Sequence, residues 1–113
     1  MEPTLTASYR VADGPVRLRV VVGNGQRGRI TVLVDTEVFA EGPEIDIDLG
    51  RGPELANRVV TCSTEVVDVQ PATDHVSVSY FLSGGHRPQM WQSNGQLEEG
   101  HPSVFQAVFS FRV

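Results

Sequence analysis

Apolar and polar residues alternate along most of this chain, and the alternation predicts its secondary structure. In residues 75–82 the even positions are apolar and the odd positions up to 79 are polar, which is the period of a β-strand with one buried and one solvated face. The apolar positions are Val76, Val78, Tyr80 and Leu82, and the polar positions are His75, Ser77 and Ser79. We therefore expect a strand here, with its apolar parity in the core.

The stretch 57–82 predicts a β-hairpin at the centre of the domain. Its two alternating arms are joined by residues 70–74, QPATD, where proline fixes a corner and the polar side chains suit a turn. In the first arm the apolar parity changes between Cys62 and Val67. A change of parity inside a strand indicates one extra residue, so we expect a β-bulge in this arm.

Five further segments alternate in the same way. They are residues 4–11, 16–22, 30–34, 45–49 and 105–113. No stretch keeps a helical period over three turns, and glycine or proline separates the segments, as in sandwiches and barrels. The sequence therefore predicts an all-β fold, an antiparallel β-sandwich of immunoglobulin-like or jelly-roll type with about seven or eight strands.

Three shorter features complete the predicted order of elements. The glycine-rich residues 23–28 predict a hairpin loop between the second and third strands. The apolar pair Val38-Phe39 predicts an edge strand or a crossing loop, and residues 54–57 predict a single helical turn.

Length, charge and cysteine content narrow the classes of protein. The 113 residues suffice for a core of their own, so we assign residues 1–113 to one domain. The net charge of −5 argues against nucleic acid and anionic membranes as partners, because both attract a basic surface. No apolar run approaches the roughly 20 residues that span a bilayer. The single Cys62 favours a reducing, cytoplasmic location.

The sequence contains no recognisable catalytic or metal-binding motif. His75, His86 and His101 share no metal-ligand spacing, and the serines lack the glycines of a nucleophile elbow. The parity of Cys62 predicts burial, whereas a reactive thiol needs exposure. We expect a protein without enzymatic activity, metal or cofactor. An enzyme that uses the histidines is a third hypothesis, weaker than the interaction domain and the small-ligand module described below.

Three carboxylates, on Glu44, Asp46 and Asp48, share one face of a predicted strand. One interpretation is a calcium site, because calcium prefers several oxygen ligands. Successive outward side chains of a strand lie roughly 7 Å apart, which is too far for a single ion. We therefore favour cross-strand ion pairs with the arginines of a neighbouring strand. The candidate arginines are Arg17, Arg19 and Arg29.

The long polar segment 84–102 is the main candidate for a binding site, because loops of this length in compact domains are usually functional. Its tryptophan can anchor a ligand or protein while neighbouring polar side chains adapt their hydrogen bonds. The candidate residues are Trp91, Met90, Arg87, Gln89, Gln92 and Asn94. The alternative is structural: residues 90–92 form a short strand, Trp91 caps the core and Asn94-Gly95 is the turn of a hairpin.

The leading hypothesis is a non-enzymatic interaction domain that binds a protein partner or its own copy. Binding would use an open edge strand, or an apolar patch on the outer side of a sheet. The patch would consist of Val21, Leu33 and Val108 and would favour a homodimer. The alternative is a small-ligand module of carbohydrate type, centred on residues 84–102 and assisted by calcium at Asp46 and Asp48.

Overall fold

The computed structural model of the chain describes residues 4–23, 26–67, 73–97 and 101–113. Within these ranges nine strands and one short helix follow one another. They are β1 (Thr4–Arg10), β2 (Pro15–Val22), β3 (Arg27–Val34), β4 (Glu37–Gly42), β5 (Ile45–Arg51), α1 (Gly52–Leu55), β6 (Val59–Val67), β7 (His75–Ser83), β8 (Gln89–Gln96) and β9 (Ser103–Arg112). The predicted strands are confirmed, and the helical turn lies two residues earlier than expected.

The strands form two sheets whose inner faces enclose the core, which confirms the predicted all-β sandwich. The five-stranded sheet has the order β1-β9-β6-β3-β4, and the four-stranded sheet has the order β5-β2-β7-β8. All neighbours are antiparallel except β1 and β9, which run parallel. The immunoglobulin-like or jelly-roll type stays a prediction.

The core consists of the side chains that the alternation predicts to point inward. In the interior Tyr9 makes an edge contact with Phe111, at 6.1 Å between ring centroids. Tyr80 makes an edge contact with Phe109, at 5.6 Å. Strand β9 lies between β1 and β6 and carries three buried phenylalanines. Strand β9 is therefore fixed in the core, as its pattern predicts, whereas Val113 beyond its end is 79% exposed.

The predicted central hairpin is wrong, because its two arms belong to different sheets. Strand β6 pairs with β3 and β9, whereas β7 pairs with β2 and β8. Alternation shows which face of a strand is buried but not which strand lies beside it, and both sheets of a sandwich bury one face. The linker residues 68–72 lie outside the described residues. At its end, Thr73 Oγ1 accepts a hydrogen bond from the backbone N–H of His75 at 3.1 Å.

The hairpin predicted at residues 23–28 is wrong for the same reason, because β2 and β3 belong to different sheets. Arg27 and Gly28 are already part of β3, and residues 24–25 lie outside the described residues. The predicted bulge in β6 is also wrong. Buried and less buried residues alternate from Val59 to Val67 without interruption, because the polar Thr64 occupies a core position. The observed register shifts lie between Val16 and Arg17 in β2, against β5, and between Val32 and Leu33 in β3, against the edge strand β4.

Candidate functional site

The predicted binding segment is largely a strand. Gln89–Gln96 forms β8, the edge strand of the four-stranded sheet, so the prediction of a long loop over 84–102 is wrong. The predicted turn at Asn94-Gly95 is wrong too, because both residues lie within β8. They pair with Ser77 and Val76 of β7.

The side chains of β8 divide between the two faces of the sheet. Trp91 points inward, where its ring lies 5.1 Å from that of Phe109 and 6.4 Å from that of Tyr9 between centroids. Its predicted contact with the core is therefore confirmed. Met90, Gln92 and Asn94 have the opposite parity and are exposed. The tryptophan and these three side chains consequently belong to opposite faces of β8.

On the outer face of β7 and β8, three consecutive register pairs consist of uncharged residues. Phe81 pairs with Met90, Ser79 with Gln92, and Ser77 with Asn94. Gln92 Nε2 donates a hydrogen bond to Ser79 Oγ at 3.2 Å. Met90 is 56% exposed and Phe81 is 37% exposed, so two large apolar side chains lie side by side on this surface.

Arg87 and Gln89 lie elsewhere, in a polar groove of about 250 Å³. The groove forms where the ends of β1 and β9 approach the chain that leads from β7 to β8. Its charged and hydrogen-bonding side chains come from Tyr9, Arg10, His86, Arg87, Gln89 and Arg112. The spacing of residues along the chain gives no sign of this cluster, since Arg10 and Arg112 are neighbours only through the parallel pairing of β1 with β9.

Tyr9 attaches the segment 84–88 to the end of β1. Its hydroxyl donates a hydrogen bond to the carbonyl of Arg87 at 2.9 Å and accepts one from the backbone N–H of Gly85 at 3.0 Å. The backbone N–H of His86 donates to the carbonyl of Arg10 at 3.2 Å. Three hydrogen bonds therefore fix the backbone of the residues that line the groove.

Glycine is required at two positions in this segment. Gly84 has a φ of +94°, which residues with a Cβ rarely adopt. A Cβ on Gly85 would lie 2.7 Å from the Tyr9 ring and would also meet the carbonyl of Arg10. The close approach of the segment to β1 thus depends on the absence of a side chain.

The predicted cross-strand ion pairs are present on the outer face of β2 and β5. Arg17 Nε contacts Asp46 Oδ1 at 2.6 Å, and Arg19 lies 3.8 Å from Glu44. The hydrogen bond from Arg17 lowers the pKa of the Asp46 carboxyl. Asp48 Oδ1 accepts a hydrogen bond from the backbone N–H of Gly50. The third candidate arginine, Arg29, pairs with Glu41 at 2.7 Å.

The remaining metal and catalytic candidates are dispersed. His75 begins β7, His86 lies beyond its end and His101 precedes β9. Cys62 is fully buried, and this burial raises the pKa of its thiol to about 12. In residues 4–23, 26–67, 73–97 and 101–113, no three His, Cys, Asp or Glu side chains are grouped as a metal site requires.

The predicted apolar patch does not form, because its members lie in different sheets. Val21 belongs to β2 in the four-stranded sheet, whereas Leu33 and Val108 belong to the five-stranded sheet. The latter two lie in one row across that sheet, each paired with Thr61. Strand parity assigns all three to an outer face, but it cannot tell which sheet that face belongs to.

Comparison of the chain with protein-family models, curated protein sequences and solved structures found no match. In the described part of the chain, no helix has the length and apolar character needed to cross a membrane.

Proposed function

We propose that this protein is a non-enzymatic interaction domain that binds its own copy through β8, the edge strand of the four-stranded sheet. The supporting observation is that Gln89–Gln96 carries no charged residue and no proline. It also pairs with β7 without a register shift. Edge strands of monomeric proteins are usually protected by charges, bulges or prolines, since an open edge attracts further strands.

Of the other three edge strands, two are charged along their length and the third, β1, is protected at its end. β4 carries Glu37 and Glu41 and has a register shift, while β5 carries Asp46, Asp48 and Arg51. The end of β1 carries Arg10 and is bonded to the segment 84–88. Strand β8 is therefore the edge with the longest uncharged run, eight residues against the six of residues 4–9 in β1.

A second copy fits this edge because identical strands can pair antiparallel about a two-fold axis, which closes the assembly as a dimer. Like charges placed opposite each other destabilise such pairs, and β8 has none, although the whole chain has a net charge of −5. With the two-fold axis at Gln92, this side chain would lie beside its own copy, and Met90 would lie opposite Asn94 of the second copy on the outer face. A cytoplasmic location, suggested by the single thiol, belongs to the same proposal.

The test is the oligomeric state by sedimentation velocity across two orders of magnitude of protein concentration. We expect a reversible dimer whose β8 amides exchange more slowly with deuterium at high concentration. Gln92→Lys places two cations close together at the two-fold axis and should shift the equilibrium to the monomer. Its matched control is Ser79→Lys, on the register partner one strand further from the edge, which should still dimerise.

A chain that stays monomeric at every concentration contradicts the proposal. Equal weakening of the dimer by both lysine substitutions contradicts the assignment to β8. A carbohydrate-type site centred on Trp91 has weaker support, because its ring packs against Phe109 and Tyr9.

A further inference from the structure

We infer that the groove between the end of β1 and the segment 84–88 binds a phosphate-type oxyanion, as inorganic phosphate or as the monoester group of a small molecule. This binding site is separate from the proposed pairing through β8. The inference rests on three arginines that converge on one groove, on the absence of an ion-pair partner for them among the described residues, and on the fixed backbone that holds them.

The lining of the groove is cationic on a protein that is acidic as a whole. Arg10, Arg87 and Arg112 border it together with His86, and none of the lining residues that the structure describes is a carboxylate. The net charge of the chain is −5, so carboxylates are plentiful elsewhere on the surface. Positive charge concentrated in a concave site attracts anions more strongly than the same charge spread over a surface.

The three arginines of the groove have no ion-pair partner among the described residues, whereas Arg17, Arg19, Arg29 and Arg58 each have a carboxylate within 4 Å. Arginines brought together without a counter-ion repel one another, and a bound anion would remove that repulsion. The guanidinium fork also matches the geometry of phosphate oxygens, with two parallel hydrogen bonds from each fork.

The backbone around the groove is already in place. The hydroxyl of Tyr9 fixes the carbonyl of Arg87 and the N–H of Gly85, and Pro88 restricts the conformation of Arg87 before it. The parallel register places Arg10 beside Arg112. Less conformational freedom is therefore lost when an anion binds than on a mobile loop.

The size and donor set of the groove favour a compact tetrahedral anion. A volume of about 250 Å³ lies below the roughly 300–1,000 Å³ of sites for drug-sized ligands. A carboxylate offers two oxygens and satisfies one fork, whereas phosphate offers oxygens to several donors at once. Gln89 adds a neutral amide donor at the rim.

The test is calorimetric titration of the full chain at constant ionic strength with inorganic phosphate, phenyl phosphate and acetate. We expect both phosphates to bind and acetate to bind at least tenfold more weakly. Tighter binding of phenyl phosphate than of inorganic phosphate would identify a monoester as the ligand, and the reverse order would identify the free ion. Arg10→Gln, Arg87→Gln and Arg112→Gln should each weaken phosphate binding about tenfold, the size expected for loss of charge-assisted hydrogen bonds.

Arg27→Gln is the matched control, because Arg27 is exposed, lies outside the groove and has no ion pair in the described part of the chain. It should leave phosphate binding unchanged. Amide chemical shifts of the unmutated protein give a second measurement, in which phosphate should move Gly85 and His86. Absence of phosphate binding, equal binding of acetate, or equal loss in Arg27→Gln would each overturn the inference, whatever the oligomeric state.

Discussion

The hydroxyl of Tyr9 donates a hydrogen bond of 2.9 Å to the carbonyl of Arg87, 78 residues further along the chain. The same oxygen accepts a hydrogen bond from the N–H of Gly85. Tyr9 is 1% exposed, so water cannot readily replace these bonds. One buried side chain thus connects the edge of the five-stranded sheet to the segment that leads into β8.

Tyr9→Phe should lower the free energy of unfolding by about 1–3 kcal/mol, because two backbone groups lose their shared partner. The matched control is Tyr80→Phe. The buried hydroxyl of Tyr80 has no hydrogen-bond partner among the described residues, so its removal should be neutral or slightly stabilising. Urea denaturation of both variants measures the difference. Equal effects of the two substitutions would mean that the Tyr9 hydrogen bonds do not contribute to stability.

Gly85→Ala should destabilise the fold by about 1–3 kcal/mol, the usual cost of a forced side chain in a packed position. The new Cβ would lie 2.7 Å from the Tyr9 ring, so the segment 84–88 must move away from β1. Gly14→Ala is the control, because a Cβ there meets nothing within 4 Å. Thermal denaturation should show a lower melting temperature for Gly85→Ala alone. An unchanged value for both variants would contradict the close approach.

Trp91→Ala should destabilise the protein by roughly 2–4 kcal/mol, since the indole packs against Phe109 and Tyr9 in a partly buried position. Met90→Ala, one residue earlier on the opposite face, removes a side chain that is 56% exposed and should stay within about 0.5 kcal/mol. Denaturant unfolding of the two variants measures the difference in their free energies of unfolding. An unfolding curve unchanged by Trp91→Ala would instead favour the tryptophan as an exposed ligand anchor.

Stability should fall as the pH rises from 9 towards 12, because burial raises the pKa of the Cys62 thiol from 9.0 to about 12. In this window the unfolded chain loses the thiol proton while the folded protein keeps it, so deprotonation favours unfolding. At pH 10, one unit above the ordinary thiol value, the loss is about 1 kcal/mol.

Cys62→Ala supplies the control for this pH dependence. It should have a lower free energy of unfolding at neutral pH but a smaller further loss between pH 8 and pH 10. Burial also raises the pKa of Tyr80, and the charge of Cys62 adds to that shift, so the difference between the two proteins measures the thiol together with its effect on Tyr80. Parallel stability curves would show that Cys62 ionises equally in the folded and unfolded states.

The segment 84–102 shows which features of a candidate site the sequence predicts and which it does not. The alternative that placed Trp91 against the core was correct, because a large aromatic residue between polar neighbours is best buried in a small domain. The sequence did not reveal that β8 extends to Gln96, since glutamine, serine, asparagine and glycine have little strand preference. Strand β8 forms nevertheless, because its inward Trp91 and the following Leu97 pack on the core and its backbone pairs with β7.

The sequence by itself determined most of the strands, their buried faces and the sandwich class, because side-chain alternation depends only on local backbone geometry. The tertiary structure decided which strands are neighbours, and pairing depends on contacts between residues far apart in the chain. It therefore separated β6 from β7, divided Val21 from Leu33, and placed Arg10 beside Arg112. The arginine groove follows from that pairing, since its members come from both ends of the chain and from the segment before β8.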